Sequence, residues 1–275
     1  MTNSLRVVTL NLCYEYPENK DGLLKKWVKI LSKIEGDIIF LQEISSYNLE
    51  KLASELEFKI LNINNFDGTC VFINPRKLII LENKLVKLKS GRKPIYIGGM
   101  HLDDVPSLPH HIAGVIYKSS EIIPLSSSLA SVLKMCEKRR LPILNDEFKC
   151  AKPYDRAIIA GDFNEPSHLD IDGINTPVSK AFEKNGFIDT YRHMNKRTPS
   201  TIQSLSKEST KETNVDDPGY TWPVGKLYKT EPKQRIDMIY TRNLKIQYSF
   251  VYEGDIENGF KWPSDHKMVI ADLHI

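Results

Sequence analysis

The sequence is short of the features that mark several protein classes. Its four cysteines, Cys13, Cys70, Cys136 and Cys150, form no CxxC pair and no zinc-like spacing. Free thiols are therefore expected in place of a disulfide framework or a cysteine-bound metal. No HExxH segment occurs and the histidines are scattered, so zinc hydrolase chemistry has no carrier. No apolar run reaches the roughly 18 residues that a membrane span needs. The run Leu5 to Leu12 is too short, and too polar at Asn11, for a signal-peptide core. A cytoplasmic setting is the default expectation, although export without such a signal would look the same. Charge of one sign is also missing: 38 Lys+Arg against 35 Asp+Glu leave a net +3, far from the footprint of a protein that coats nucleic acid. With 41% hydrophobic and 27% charged residues, disorder, collagen and coiled coil are excluded. No repeat or composition break divides the chain, and one domain over residues 1–275 is expected.

What the chain does contain is an alternation of strand-like and helix-like runs. Arg6 to Leu12 reads as a buried strand. Asp21 to Ile34 sets Leu24, Trp27, Ile30, Leu31 and Ile34 at helical spacing, with Asp21 as N-cap and Gly36 as stop. Asp37 to Gln42 is a second strand and Ser46 to Leu56 a second amphipathic helix. Further strands are expected at Lys59–Ile63, Thr69–Ile73, Leu78–Leu81, Ile95–Met100, Arg156–Ala160, Arg235–Thr241, Tyr248–Tyr252 and Lys267–Leu273. Helices are expected at Ser126–Arg140 and Val178–Asn185. Asp103–Pro124 and Arg192–Pro218 lack periodicity and read as long loops, of the kind that shape a substrate entrance.

Polar residues sit at the ends of these strands. Asn11 closes the first, Glu43 the second and His101 the run IYIGGM. Asp162 and Asn164 follow RAIIAG, Asp237 lies in RIDMIY, and Asp265 and His266 precede the last strand. Any one of them has a dull explanation as a cap or a solvated end. Together they are harder to dismiss, because carboxylates converging at one sheet edge repel each other unless a cation lies among them. The hard oxygen donors Glu43, Asp265 and the Asn11 amide suit Mg2+, with Mn2+ as a substitute. Next to Asp265, His266 can serve as acid or base, and Asp237 can orient its ring. In the segment from Ala160 to Asp170, Gly161 permits a tight turn at the strand end. Asp162 and Asn164, two apart, then project to one side, one toward a water and the other toward a phosphoryl oxygen.

The motifs TLNL (Thr9–Leu12), LQE (Leu41–Glu43), MHLD (Met100–Asp103), GDFN (Gly161–Asn164), RIDMIY (Arg235–Tyr240) and SDH (Ser264–His266) occur in the family order of the DNase I-like endonuclease/exonuclease/phosphatase superfamily, which the chain resembles over nearly its whole length. The resemblance implies an α/β fold, a four-layer sandwich of two mixed sheets packed face to face with helices outside. It places Asn11, Glu43 and Asp265 at a magnesium ion. Asp162 would orient or deprotonate the attacking water, Asn164 would hold the phosphate, and His101 would donate to the phosphoryl oxygens. His266, paired to Asp237, would contact the phosphate or act as acid/base. The Pro-x-x-Cys-Asp segment of inositol 5-phosphatases is absent before Arg235, and the HL motif is nearer to sphingomyelinase-like and deadenylase-like branches.

The expectation is therefore a Mg2+-dependent phosphoesterase acting on a small or lipid-linked phosphate ester. A nuclease or deadenylase is the alternative, with a cationic track in Arg192–Lys211 that is diluted by Glu208 and Glu212. A catalytically dead interaction scaffold is the third reading. It gives no chemical reason for all six motifs to be present together.

Overall fold

The structure, a computed structural model, describes residues 4–13, 20–61, 69–91, 93–117, 123–196, 219–224, 231–254 and 262–275. In chain order the elements are β1 (Ser4–Asn11), α1 (Lys20–Ile34), β2 (Ile38–Gln42), α2 (Ser46–Glu55), β3 (Lys59–Leu61), β4 (Cys70–Ile73), β5 (Leu78–Glu82), β6 (Leu85–Leu88), β7 (Ile95–His101), α3 (Leu108–Ala113), α4 (Leu129–Ala151), β8 (Ala157–Asp162), α5 (Pro177–Lys184), β9 (Ile188–Asp189), α6 (Thr190–Met194), β10 (Asp237–Arg242), β11 (Lys245–Tyr252) and β12 (Met268–His274).

Two six-stranded mixed sheets result, ordered β11-β12-β1-β2-β4-β3 and β5-β6-β7-β8-β10-β9. Alternation along the strands sorts the apolar side chains onto two faces. Leu5, Val7, Ile38, Phe40, Val269 and Ala271 of the first sheet meet Ile97, Ile158, Ala160 and Ile239 of the second in the central core. On the outer face of the first sheet, Val8, Leu10, Ile39 and Ile270 pack against Trp27, Leu31 and Ile34 of α1 and Leu52 of α2. On the outer face of the second, Met100, Ile159 and Met238 pack against Leu144 and Phe148 of α4 and Phe182 of α5. The result is the expected four-layer α/β sandwich of the DNase I-like type, helix–sheet–sheet–helix.

Several elements depart from the sequence-based expectation. Helix α4 runs on to Ala151 through Pro142, where a stop near Arg140 was expected. A proline inside a helix costs about 3 kcal/mol, yet Val132, Cys136, Arg140, Leu144 and Phe148 bury one face on both sides of it, and tertiary packing overrides the local penalty. β6, β9, α3 and α6 are short elements that the periodicity did not reveal, and α3 lies inside the expected loop 103–124. Gly161 is not in a turn. It lies within β8 at φ 151, where an added Cβ would fall 1.8 Å from the Met100 carbonyl oxygen of β7. Close strand approach is what requires glycine there. All four cysteines are free, with Cys70 and Cys136 buried and Cys150 exposed. Residues 62–63, 118–122 and 197–218 of the expected strand and loops lie outside the described residues. Among the described residues no helix is long and apolar enough to cross a membrane.

The topology decides where the polar strand ends meet. β1 and β2 are parallel, with Asn11 opposite Gln42. β7 and β8 are parallel too, with His101 opposite Asp162. β10 runs antiparallel to β8 and starts where β8 ends, with Asp237 opposite Asp162. β12 starts beside the end of β1, with Val269 opposite Thr9. Every candidate side chain therefore emerges at one end of the two sheets.

Candidate active site

At that end lies a cavity of about 670 Å³, walled among others by Glu43, His101, Asp162, Asn164, Asp265 and His266. Cys13, Glu43 and Asn164 hold left-handed backbone (φ 51, 52 and 50), so each chain turns sharply where its strand finishes. Asn11 and Asp237 are fully buried and stand behind the wall.

Asn11 joins the two sheets. Its Nδ2 donates to Glu43 Oε1 at 2.9 Å and to Asp162 Oδ2 at 3.0 Å, while its Oδ1 accepts from the Cys13 amide at 3.0 Å. His101 faces the same two acids, with Nε2 3.6 Å from Glu43 Oε1 and 3.9 Å from Asp162 Oδ2. Asp162 Oδ1 accepts the Asn164 amide at 2.9 Å, and Asn164 Nδ2 is tied to the Leu102 carbonyl at 2.8 Å. On the far side, His266 Nδ1 lies 2.9 Å from Asp237 Oδ2, and its Nε2 lies 3.9 Å from both Asp162 Oδ2 and Asp265 Oδ1. Ser264 fixes this corner by donating to the Asn11 carbonyl at 2.7 Å and accepting from the His266 amide. The backbone amide of Asp237 donates to Thr221 Oγ1 at 3.1 Å.

The electrostatics follow from this crowding. Burial pushes the Asp162 carboxyl up to about 6, and Asp237 adds to the rise against the pull of His266, His101 and Asn11. For His266, burial disfavours the charged ring, but Asp237, Asp162 and Asp265 outweigh it and carry the imidazole up to about 10. Asp237 Oδ1 and Asp265 Oδ1 are buried without a hydrogen-bond partner, which is costly for carboxylate oxygens.

Such oxygens, beside Glu43 and Asp162, are what a hard divalent cation takes, and the donor set fits one. The side chains that converge most tightly are Asp162, Asp237 and His266, whose ligand atoms lie within 4.8 Å of one another. The expected set of Asn11, Glu43 and Asp265 is arranged differently. Glu43 and Asp265 face the cavity, whereas Asn11 holds the acids from behind.

Sequence reasoning missed the opposite wall. Trp222 donates from Nε1 to Asp265 Oδ2 at 3.0 Å. Tyr117 packs edge-on against Trp222, and His110, buried, packs against Tyr117 with ring centroids 4.5 Å apart and planes tilted by 36°. His110 is bonded to Ser107 Oγ at 2.6 Å and to Glu231, and burial lowers its pKa despite that acid. A tryptophan in the polar stretch GYTWP was the one available signal; nothing local announced its partner.

Over residues 8–266 the sequence matches the Endonuclease/Exonuclease/phosphatase family. An uncharacterised Caenorhabditis elegans protein is 24% identical over 307 residues, spanning 98% of this chain and 91% of its own length. The endonuclease/exonuclease/phosphatase of Bacteroides vulgatus has a TM-score of 0.64 at 14% identity, covering 99% of both chains. D. rerio TDP2 complexed with single strand DNA product has a TM-score of 0.60 at 14% identity, again over 99% of both chains. These two structures share the fold. The family match starts within β1, ends at His266 and takes in every position whose side chain converges on the cavity, so the chain belongs to the endonuclease/exonuclease/phosphatase family.

Proposed function

We propose that this family hydrolase is a divalent-metal-dependent phosphoesterase in which water attacks phosphorus and the ester oxygen departs. The observation that carries the reading is the unpartnered Oδ1 of Asp265, buried in a wall that also presents Glu43 and Asp162. Glu43 and Asp265 would hold the ion. His266 is less suited to that task, because its Nδ1 is committed to Asp237. Bound Mg2+ or Mn2+ would neutralise these acids and polarise the phosphoryl oxygen.

The protein's own groups supply the remaining chemistry. Asp162, titrating near 6 and aligned by Asn11 and the Asn164 amide, takes the proton from the attacking water. His101 donates to the phosphoryl oxygens as charge builds on them. His266, kept charged by Asp237, offers its Nε2 proton from the opposite side. Asn164, with Nδ2 anchored on Leu102, presents the rest of its amide to the phosphate.

For the substrate we favour a small or lipid-linked phosphate ester. No Lys or Arg stands among the described residues that line the cavity, and Leu102, Ile143, Tyr117 and Trp222 give it apolar walls. A nucleic-acid polymer needs several cationic phosphate contacts. A nuclease is the second reading, and the D. rerio TDP2 complex, which holds a DNA product on this fold, favours it. The test is hydrolysis with Mg2+ across generic phosphate esters, inositol phosphates, sphingomyelin, single-stranded DNA and RNA, repeated after exhaustive chelation. Turnover that survives chelation overturns the metal mechanism, and a preference for DNA or RNA reverses the substrate order.

A further inference from the structure

We infer that Trp222 is a positioning residue for the metal: its indole N–H locks the rotation of Asp265, so that one carboxylate oxygen faces the cation. The inference rests on the metal-dependent reading above and goes beyond it in assigning a role to a residue that offers no ligand atom.

Trp222 Nε1 donates to Asp265 Oδ2 at 3.0 Å, and Asp265 Oδ1 is left buried with no hydrogen-bond donor. Among the described residues, His266 Nε2 lies 3.9 Å from that oxygen. An indole has a single donor and no acceptor, so it can satisfy one oxygen only and never compete for the ion. Its orientation is fixed from several directions. The ring packs at 5.9 Å from His110, 6.2 Å from Tyr117 and 6.4 Å from His266. Its backbone pairs with Gln234 in both directions, at 3.0 and 2.7 Å, and the neighbouring Val224 amide donates to the Asp265 carbonyl at 2.7 Å. The short segment around Trp222 therefore grips Asp265 by main chain and side chain together.

A buried tryptophan always needs an acceptor, so the alternative is a core indole that found one. Trp262 shows what that looks like: its Nε1 donates to the backbone carbonyl of His266 at 2.6 Å and leaves no charged group stranded. Trp222 instead takes one oxygen of a carboxylate and strands the other in a low-dielectric wall. The His266 imidazolium at 3.9 Å offsets part of that cost without hydrogen-bonding the oxygen, and a cation reaching Oδ1 would offset the rest.

The experiment uses the full chain, stripped with EDTA and then titrated calorimetrically with Mg2+ and Mn2+. Replacing the indole at position 222 with the isosteric benzothiophene amino acid removes the N–H and keeps the ring, and Trp222→Phe serves as a second variant. Outer partners of metal ligands typically matter about 10- to 100-fold in affinity, so both variants should bind metal at least about tenfold more weakly with unchanged stoichiometry. In the unmodified protein, the Trp222 Nε1 proton resonance should shift with metal while that of Trp27 stays in place. Wild-type-like affinity, within about twofold, in a folded variant overturns the inference, as does an Nε1 resonance blind to bound metal. A parent protein that binds neither ion overturns the metal-dependent reading itself, and the parent titration alone detects that.

Discussion

Asp162→Asn offers a sharp test of the electrostatics, because the structure sets two opposing effects that separate with pH. In the metal-free protein the Asp162 carboxyl titrates near 6, against 3.8 for an unperturbed group. A raised carboxylate makes the folded state bind its proton more tightly. The stability that Asp162 contributes is thus present below about 3.8 and is lost as pH rises through about 6. A shift of about two units corresponds to roughly 3 kcal/mol, of which roughly 2 to 3 kcal/mol falls between pH 4 and pH 7. Asparagine does not titrate and escapes this loss. The carboxamide has a fault of its own. If its oxygen accepts from the Asn164 amide, its nitrogen meets Asn11 Nδ2, which lies 3.0 Å from the carboxylate oxygen it replaces; the flipped rotamer sets it against the Asn164 amide instead. One donor–donor clash of about 1 to 3 kcal/mol results either way. The variant should therefore be less stable than the parent at pH 4 and near parity at pH 7. Urea unfolding in EDTA across that range measures it. A stability difference that does not move with pH, by at least about 1 kcal/mol, would refute the account of a buried and strained Asp162.

Further outcomes follow from the same geometry. Glu43 is a third exposed at its side chain, so Glu43→Ala should stay folded yet bind Mg2+ at least about tenfold more weakly by calorimetry; an unchanged affinity removes Glu43 from the metal's surroundings. Arg140 and Glu165 form a fully buried pair, and Arg140 also donates to the Asp103 and Pro106 carbonyls, so Arg140→Met should cost about 3–5 kcal/mol in urea unfolding. Adding Glu165→Gln should restore part of that loss, and a double variant no more stable than the single one counts against the stranded charge as its cause. His266 and Asp237 should act as one unit: kcat/KM of the double variant His266→Ala/Asp237→Asn should barely fall below that of His266→Ala, whereas additive losses in folded proteins would uncouple the pair.

Strands were legible wherever both faces are buried. β2 and β8 are apolar up to their closing Gln42 and Asp162 because one face meets the other sheet and the other meets a helix; β2 was read to within one residue and β8 to within two. Legibility failed where tertiary contacts overrule local preference. Pro142 reads as a helix stop in any local window, and only the burial of residues such as Cys136 and Phe148 carries α4 past it. Gly161 was legible as a special position for the wrong reason. A turn and a crowded strand both demand glycine, and the sequence cannot show the Met100 carbonyl against which a Cβ would collide.

The site divides along the same line. Most of the polar residues that line the cavity sit at or just past strand ends, and a polar residue closing an apolar run is visible in one dimension. Residues that hold them are not visible, because each bond spans a distance that the sequence does not encode: 151 positions from Asn11 to Asp162, 43 from Trp222 to Asp265. Even Asn11, legible from its strand, does more than its position suggested, since it bonds both acids from behind the wall. This division has a physical origin in the burial itself. Water cannot reach Asp237 or the back of Asp162, so every donor that settles those carboxylates must come from the chain. Where the chain supplies none, at Asp237 Oδ1 and Asp265 Oδ1, the folded protein carries unpaired acceptors in a low-dielectric wall. On the proposed reading, a cation and a phosphoryl group would bring the charges that these oxygens and the neighbouring charged His266 leave uncompensated.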